Sequence, residues 1–166
     1  MLFGHISGYS MAPTLKNGQT IQYDCSRKRK KNICRNDIVA IKNKQASSGM
    51  MIKRVVAIEG DSVFAYDGIL YINGQAEEFK PFEKTGNVKQ LVVPKGCIYV
   101  LGDNRQNSID SRTLGPMKKS KVVGVFEKII PIKMKQRTKH HSSSTSFKET
   151  YNYFKKELYR RWNLEE

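Results

Sequence analysis

The sequence predicts a mostly β fold with an antiparallel β-sheet core. Short segments rich in β-branched and aromatic residues recur between turn signals along most of the chain. An Asp-Gly dipeptide joins two of these segments, and this is the pair that a two-residue hairpin turn requires. With 166 residues and 39% hydrophobic content, the chain is long enough for one domain with a real core and an appendage.

The predicted strands follow one another between turn residues. They are Gln19 to Asp24, Asp37 to Lys42, Met50 to Ile58, Ser62 to Tyr66, Ile69 to Ile72, Cys97 to Leu101 and Val122 to Ile130. Asp67-Gly68 lies between SVFAY and ILYIN and predicts a type I′ hairpin, because both central residues of that turn need positive φ. Asn73-Gly74 predicts a second turn directly after it.

The composition changes after Pro131, which predicts a boundary between a β domain over residues 1–131 and a separate C-terminal region. Residues 132–145 are polar and basic without periodicity and are typical of a linker. Residues 146–166 predict a basic amphipathic helix that begins with a capping box and has apolar residues three to four apart. The apolar stripe consists of Phe147, Tyr151, Phe154, Leu158 and Trp162. Docking on the β domain and binding at a lipid headgroup interface are equally compatible with that helix.

The net charge of +15 favours an anionic partner or a solvated basic surface. The basic clusters are not interleaved with aromatic residues, and we find no Cys/His finger, so the pattern favours a membrane-facing or solvated surface over nucleic-acid binding. We expect no cofactor and no metal. Cys25 and Cys34 bracket a predicted hairpin, and their spacing leaves open whether they pair.

Ser10, in the stretch GYSMAPTLKNG, poses the chemical question of which base takes its proton. The histidines are His5, close to the serine in sequence, and His140 and His141, in the predicted linker. A lysine is the alternative base if burial in apolar surroundings lowers its pKa toward the working pH.

Lys53 fits that requirement, because it lies in the apolar stretch MMIKRVVAIEGD. Strand alternation places it on one face with Met51, Val55 and Ala57, while Arg54 points the other way. An isolated lysine in such a strand would more often extend its amine to water. A third stretch, LGDNRQNSIDSRTLG, is rich in turn-forming residues and contains Ser108, a neutral hydroxyl suited to hold a neutral amine.

SMAPTL, KRVVAIEGD and GDNRQNSIDSR, in this order, resemble the three signature boxes of the bacterial type I signal peptidases. These are Ser/Lys proteases that remove signal peptides from exported preproteins. The resemblance covers about two thirds of the chain and implies a serine endopeptidase with a β-rich catalytic core. It implies that Ser10 is the nucleophile, Lys53 the general base and Ser108 the group that orients the lysine.

Further residues match family positions that brace the site. They are Arg54, Gly102, Asp103, Asn104, Asp110 and Arg112. The backbone N–H of Ser10 is the implied oxyanion donor, and Gly8 stands where some members have a serine whose hydroxyl is a second donor. Substrates of the family bind extended and carry small residues at an Ala-x-Ala site, for which Met11 and Met51 are candidate pocket residues or ordinary core methionines.

The resemblance also implies preprotein partners and a location on the extracytoplasmic face of the cell membrane. Members carry a transmembrane helix directly before the serine box, whereas nine residues precede Ser10 here, so either an anchor was removed or the chain attaches peripherally. Two other interpretations stay open: a non-catalytic relative that assists assembly of surface proteins, and a self-cleaving repressor with Ser/Lys chemistry. The intact Ser10 and Lys53 argue against the first, and the GDNRQNSIDSR box argues against the second.

Overall fold

The computed structural model describes residues 1–44, 46, 49–79 and 84–131. These ranges contain mostly β-strands, as the sequence predicts. The strands are β1 (Leu2–His5), β2 (Thr20–Asp24), β3 (Ile38–Lys42), β4 (Met50–Ile58), β5 (Ser62–Tyr66), β6 (Ile69–Ile72), β7 (Gln75–Ala76), β8 (Val88–Val92), β9 (Cys97–Leu101), β10 (Met117–Lys118) and β11 (Val122–Ile130). Two short helices, α1 (Arg27–Lys31) and α2 (Ser111–Leu114), and a 3₁₀ turn at Lys119–Lys121 connect them.

Within the described part of the chain, the strands form two antiparallel sheets. The main sheet has seven strands in the order β1-β2-β11-β3-β4-β9-β10, and the small sheet has four in the order β7-β6-β5-β8. In chain order, the small sheet is inserted between β4 and β9, two neighbouring strands of the main sheet. The small sheet is therefore attached next to the strand that carries Lys53.

Each predicted strand is present, and the two hairpin turns form at the predicted dipeptides. Asp67 and Gly68 have φ values of 48° and 79°, and Tyr66 pairs with Ile69 across the turn. Asn73 and Gly74 likewise have positive φ, so a second two-residue turn joins β6 to β7. The left-handed conformation that the sequence pattern demands is the one that these residues adopt.

The strands that the pattern did not predict are β1, β7, β8 and β10. Two of them have only two residues, and β1 contains Gly4, a residue that strands disfavour. A side chain at Gly4 would contact the ring of Tyr23 at 2.9 Å, so the close pairing of β1 on β2 needs a glycine there. Pairing with a neighbour, rather than intrinsic preference, makes these segments strands.

A helix, and not the predicted hairpin, lies between Cys25 and Cys34. Ser26 caps α1, because its hydroxyl accepts a hydrogen bond from the backbone N–H of Arg29 at 3.2 Å. The thiols of the two cysteines donate to the backbone carbonyls of Tyr23 and Asn32. The prediction of a hairpin at this basic segment is wrong.

The buried apolar side chains of the described residues form three clusters. The first lies along β3, β4, β9 and β11, the second joins β4 and β9 to the small sheet, and the third holds the loop after β1 against β2 and β3. Met51 and Val55 belong to the first cluster, whereas Ala57 belongs to the second. A bulge at Val56 causes this difference: Val55 pairs with Val100 while Ala57 pairs with the next residue back, so strict alternation ends at Val55.

The predicted linker and C-terminal helix lie outside the described residues, so they and the domain boundaries stay predictions. Among the described residues, no helix combines the length and the apolar character needed to cross a bilayer.

Candidate active site

Lys53 and Ser10, 43 positions apart in sequence, meet in the structure. The Nζ atom of Lys53 donates a hydrogen bond to Ser10 Oγ at 2.6 Å and another to the Ile52 carbonyl at 2.9 Å. Lys53 lies on β4 and is only 4% exposed, with Met51 and Val55 buried on either side of it along the strand. The fold therefore brings Ser10 and Lys53, the two residues that the sequence predicts as the pair, into direct contact.

Burial lowers the pKa of Lys53 from its ordinary value of 10.5 to about 8. Removing the amine from water disfavours the charged form, and this cause outweighs the others. The negative charges of Asp110 and Asp103 act in the opposite direction, and the positive charge of Arg112 adds to the lowering. A lysine with this pKa is partly neutral near pH 8 and is able to accept a proton there.

The loop after β1 holds Ser10 from both sides. Met11 and Leu15, which follow the serine, are buried in the third cluster at 2% and 1% exposure. The carbonyl of Ser10 accepts a hydrogen bond from the backbone N–H of Asn104 at 3.0 Å. Gly8, two residues before the serine, has a φ of +100°, a conformation that suits glycine, and its N–H donates to Asn17.

The two methionines proposed as pocket residues are both buried. Met11 is 2% exposed and Met51 is 7% exposed, and each packs in one of the core clusters. Their burial favours the alternative that they are core methionines. His5, the histidine nearest Ser10 in sequence, has Nδ1 at 3.0 Å from Thr20 Oγ1, so its ring contacts the neighbouring strand.

Arg54 projects to the other side of β4 and pairs with Asp103. The guanidinium donates from Nε and Nη2 to the two carboxylate oxygens at 2.8 and 2.7 Å. A third donor, Nη1, reaches the Asn36 carbonyl at 3.0 Å, and the guanidinium lies 4.4 Å from the centre of the Phe79 ring. Asp103 is fully buried, so this ion pair fixes the beginning of the loop that follows β9.

Asp110 and Arg112 form a second bidentate pair in that loop. Nε and Nη2 of Arg112 each lie 2.9 Å from a carboxylate oxygen of Asp110, which also accepts the backbone N–H of Gly102 at 3.0 Å. Burial alone would raise the pKa of Asp110, but the hydrogen bonds from Arg112 and Gly102 hold it below its usual value. The carboxylate is thus kept charged and fixed, and its bonds to Arg112 and Gly102 hold two parts of the loop together.

Gly102 is where this loop touches the serine. A side chain at this position would come within 2.3 Å of Ser108 Oγ and 2.6 Å of the Ser10 carbonyl oxygen, so only glycine fits. Ser108 Oγ is buried; it lies near enough to Asp110 to help lower the pKa of that carboxyl, yet it forms no hydrogen bond of normal geometry with any described residue. The structure therefore brings Ser108 beside the Ser10 backbone without bonding its hydroxyl to Lys53.

Arg105 is the buried residue of this loop that the sequence pattern did not single out. It is 2% exposed and donates to the Gly102 carbonyl, to Thr85 Oγ1 and, at 2.7 and 2.9 Å, to both carboxylate oxygens of Glu77. Its position inside GDNRQNSIDSR could have indicated a role in this loop. Its two side-chain partners, however, come from the region of the small sheet, at least 20 positions away. No local pattern indicates such a contact.

Comparison with known proteins agrees with these motifs. The family model described as "Signal peptidase, peptidase S26" matches residues 3–130. The chain is 35% identical over 137 residues to signal peptidase I V of Bacillus subtilis, covering 73% of this chain and 80% of that protein. It is 37% identical over 132 residues to signal peptidase I T of the same organism, covering 72% and 68%.

A crystal structure of a signal peptidase I from Enterococcus faecalis V583 matches with a TM-score of 0.49 and 31% identity, covering 57% of this chain and 96% of that one. The resemblance inferred from the three motifs is confirmed by the family match and the two Bacillus relatives. The chain belongs to the signal peptidase family, peptidase S26, and is a serine peptidase of the signal peptidase I type, a hydrolase that removes signal peptides from preproteins.

Proposed function

We propose that this peptidase cuts preproteins after Ala-x-Ala sites with a Ser10/Lys53 dyad. One observation carries the proposal: a lysine that is 4% exposed, with a pKa of about 8, donates to a serine hydroxyl at 2.6 Å. A buried amine with a lowered pKa next to a hydroxyl is the arrangement that activates a serine without histidine.

In the proposed reaction, neutral Lys53 takes the proton of Ser10 while Oγ forms a bond to the scissile carbonyl carbon. The lysine then gives that proton to the leaving amine as the peptide C–N bond breaks, which leaves an acyl group on Ser10. A water molecule, whose proton Lys53 accepts, then attacks the acyl carbon. As the bond between that carbon and Ser10 Oγ breaks, Lys53 gives the proton to Oγ, and the product acid leaves. The Ile52 carbonyl, 2.9 Å from Nζ, holds one N–H of the amine and leaves its lone pair available to the serine.

The oxyanion that develops on the carbonyl is bound by the backbone N–H of Ser10. Gly8 supplies no hydroxyl for a second side-chain donor, and the loss of one oxyanion donor elsewhere costs about 10²-fold in rate. We assign Ser108 to orienting the lysine amine, because its buried Oγ lies beside the Ser10 backbone and forms no hydrogen bond of normal geometry with another described residue.

The substrate strand is proposed to add to β4 next to Ser10. β3 pairs with Met50 to Arg54, whereas β9 pairs only from Arg54 to Ile58, so the first half of β4 extends past the end of β9. An extended peptide is able to pair there by backbone hydrogen bonds, while small pockets select its side chains.

A membrane surface on the extracytoplasmic side is the proposed location of this reaction. The net charge of +15 favours anionic lipid, and Tyr9 and Ile109, next to Ser10 and Ser108, are 60% and 68% exposed. Exposed apolar residues beside the serine suit a substrate that emerges from lipid.

The test is mass-spectrometric cleavage of a peptide with an Ala-x-Ala signal site, with and without anionic lipid vesicles. We expect a single cut after the second alanine, lost in both Ser10→Ala and Lys53→Ala, with faster cutting when vesicles are present. Lys89→Ala, an exposed lysine of β8, is the matched control and should cut normally. Cleavage that survives either dyad substitution in a folded protein would refute the assignment.

A further inference from the structure

The contact between Arg105 and Glu77 connects the small sheet to the catalytic loop. Glu77 follows β7, and its backbone N–H donates to the Leu70 carbonyl at 2.8 Å. Thr85, the other partner of Arg105, donates from its backbone to the Gly68 carbonyl at 2.9 Å. The hairpin of β5 and β6 therefore fixes both groups that hold the guanidinium.

The opposite end of the same guanidinium holds the Gly102 peptide. Nε of Arg105 donates to the Gly102 carbonyl at 3.0 Å, while the Gly102 N–H donates to Asp110 at 3.0 Å. Gly102 is the residue that touches both Ser108 and the Ser10 backbone. The position of this one peptide thus sets where the two serine residues lie relative to each other.

The network closes on itself through Arg112. Nη2 of Arg112 donates to the Arg105 carbonyl at 2.5 Å and to the Asp110 carboxylate at 2.9 Å. Gly102, Arg105, Arg112 and Asp110 therefore form a ring of hydrogen bonds. Glu77 and Thr85 attach this ring to the small sheet, and Glu77 is the charged partner.

A buried guanidinium suits this task because its donors form a rigid planar fork. The side chain of Arg105 is 0% exposed and that of Glu77 is 10% exposed, so water cannot replace a lost partner without reorganising the loop. Removing the charge of Glu77 leaves a buried cation uncompensated, which the loop relieves by moving Arg105 and with it the Gly102 carbonyl.

We propose that the Glu77–Arg105 ion pair is a positioning device through which the small sheet sets the spacing of Ser10 and Ser108. The inference rests on the proposed roles of those two serines. Neither Glu77 nor Arg105 touches a reacting atom, so the pair acts on turnover and leaves ground-state binding of the peptide unchanged. A displacement of about 1 Å in a catalytic constellation is able to cost about 10²-fold in rate.

The experiment compares kcat and KM for the Ala-x-Ala peptide in Glu77→Gln, Arg105→Gln and the double variant. We expect kcat to fall by about 10- to 100-fold at unchanged KM in each single variant. The double variant should recover part of that loss, because two neutral amides leave no buried charge without a partner.

Asp61→Asn is the matched control. Asp61 is also buried and also forms a bidentate pair, at 2.9 and 2.5 Å with Arg35, and it holds the small sheet through Asn73 without contacting the catalytic loop. Its kcat should match that of the unsubstituted protein at temperatures where all variants are folded by circular dichroism. Ser10→Ala, run in the same assay, shows separately whether the proposed nucleophile is correct.

An unchanged kcat in folded Glu77→Gln would overturn the inference, and so would an equal loss in Asp61→Asn, which would indicate general destabilisation. If Glu77→Gln does not fold, Thr85→Val replaces it, since it removes one hydrogen-bond partner of Arg105 without changing the shape of the side chain. An unchanged kcat in Thr85→Val, or an equal loss in Asp61→Asn, would then overturn the inference. A rise in KM with constant kcat would also count against a positioning role.

Discussion

Strand β4 and the loop after β9 both bury basic side chains at the site, but of Lys53, Arg105 and Arg112 only the two arginines of the loop are paired with carboxylates. Lys53 forms its hydrogen bonds with a hydroxyl and a carbonyl, and burial lowers its pKa to about 8. In the loop, Arg105 and Arg112 each have two hydrogen bonds to one carboxylate, of Glu77 and Asp110. A basic side chain that is buried without a carboxylate partner has a lowered pKa and is suited to proton transfer. A basic side chain that is buried with a carboxylate partner stays charged and fixes the backbone that it contacts.

The largest effect should come from breaking a pair that fixes the backbone. Asp103→Asn leaves the Arg54 guanidinium, whose side chain is 11% exposed, without its charged partner. We expect a loss of ~3–5 kcal/mol in the free energy of unfolding, because an uncompensated buried charge costs that much. Urea unfolding at pH 7 measures it.

Asp67→Asn is the control for this change. Asp67 pairs with Lys84 at 3.6 Å, but both side chains are almost fully exposed, so the substitution should leave the unfolding free energy unchanged within error. A double variant, Arg54→Met with Asp103→Leu, should recover most of the stability, since it removes both charges. Equal stability of Asp103→Asn and the unsubstituted protein would show that water reaches this pair.

The second prediction concerns Lys53, whose replacement should raise the free energy of unfolding instead of lowering it. Its folded-state pKa of about 8 is below the ordinary value of 10.5, so folding destabilises the protonated amine. Below pH 8 the whole penalty applies, and above pH 10.5 both states are neutral and it vanishes. Lys53→Met should therefore raise the free energy of unfolding by up to ~3 kcal/mol at pH 7, at 1.36 kcal/mol per pKa unit.

That gain in Lys53→Met should shrink steadily between pH 8 and pH 10.5, as the amine of the unsubstituted protein becomes neutral in the folded state while the unfolded chain still binds the proton. Urea unfolding of both proteins at pH 7 and pH 9.5 measures the difference. Lys89→Met, on the exposed part of β8, should show no such pH-dependent gain. A constant difference between Lys53→Met and the parent at both pH values would mean that the lysine amine remains solvated.

The same contrast explains how far the sequence predicts the site. Lys53 was predictable because an apolar strand around a lysine is a local pattern, and strand alternation holds from Met51 to Val55. The role of Ser10 was predictable from the resemblance of the three motifs to those of the signal peptidases. The contact of Arg105 with Glu77 was not, since its partners are 28 positions apart and meet only when the small sheet folds onto the loop. The burial and pKa of a residue can be predicted from sequence when they depend on its immediate neighbours, whereas a contact between distant segments cannot.

The errors in the predicted fold have similar causes. Helix α1 has the sequence RKRKK without an apolar stripe, and its cap at Ser26 is the local signal that it offers. β1 and β8 are strands because β2 and β5 pair with them. The bulge at Val56 shifts Ala57 into another cluster, because packing of the small sheet overrides simple alternation there.

The smallest predicted effect is the pH dependence of catalysis, which tests the Lys53 side of the comparison alone. Because the neutral amine is the active form and its pKa is about 8, kcat/KM should rise about tenfold from pH 6 to pH 7 and level off above pH 9. Peptide cleavage followed by mass spectrometry across this range gives the profile. His5→Gln should leave it unchanged, since Nδ1 of His5 contacts Thr20 on the neighbouring strand. A pH midpoint that disappears in His5→Gln would assign the base to the histidine and leave the buried lysine with a structural role only.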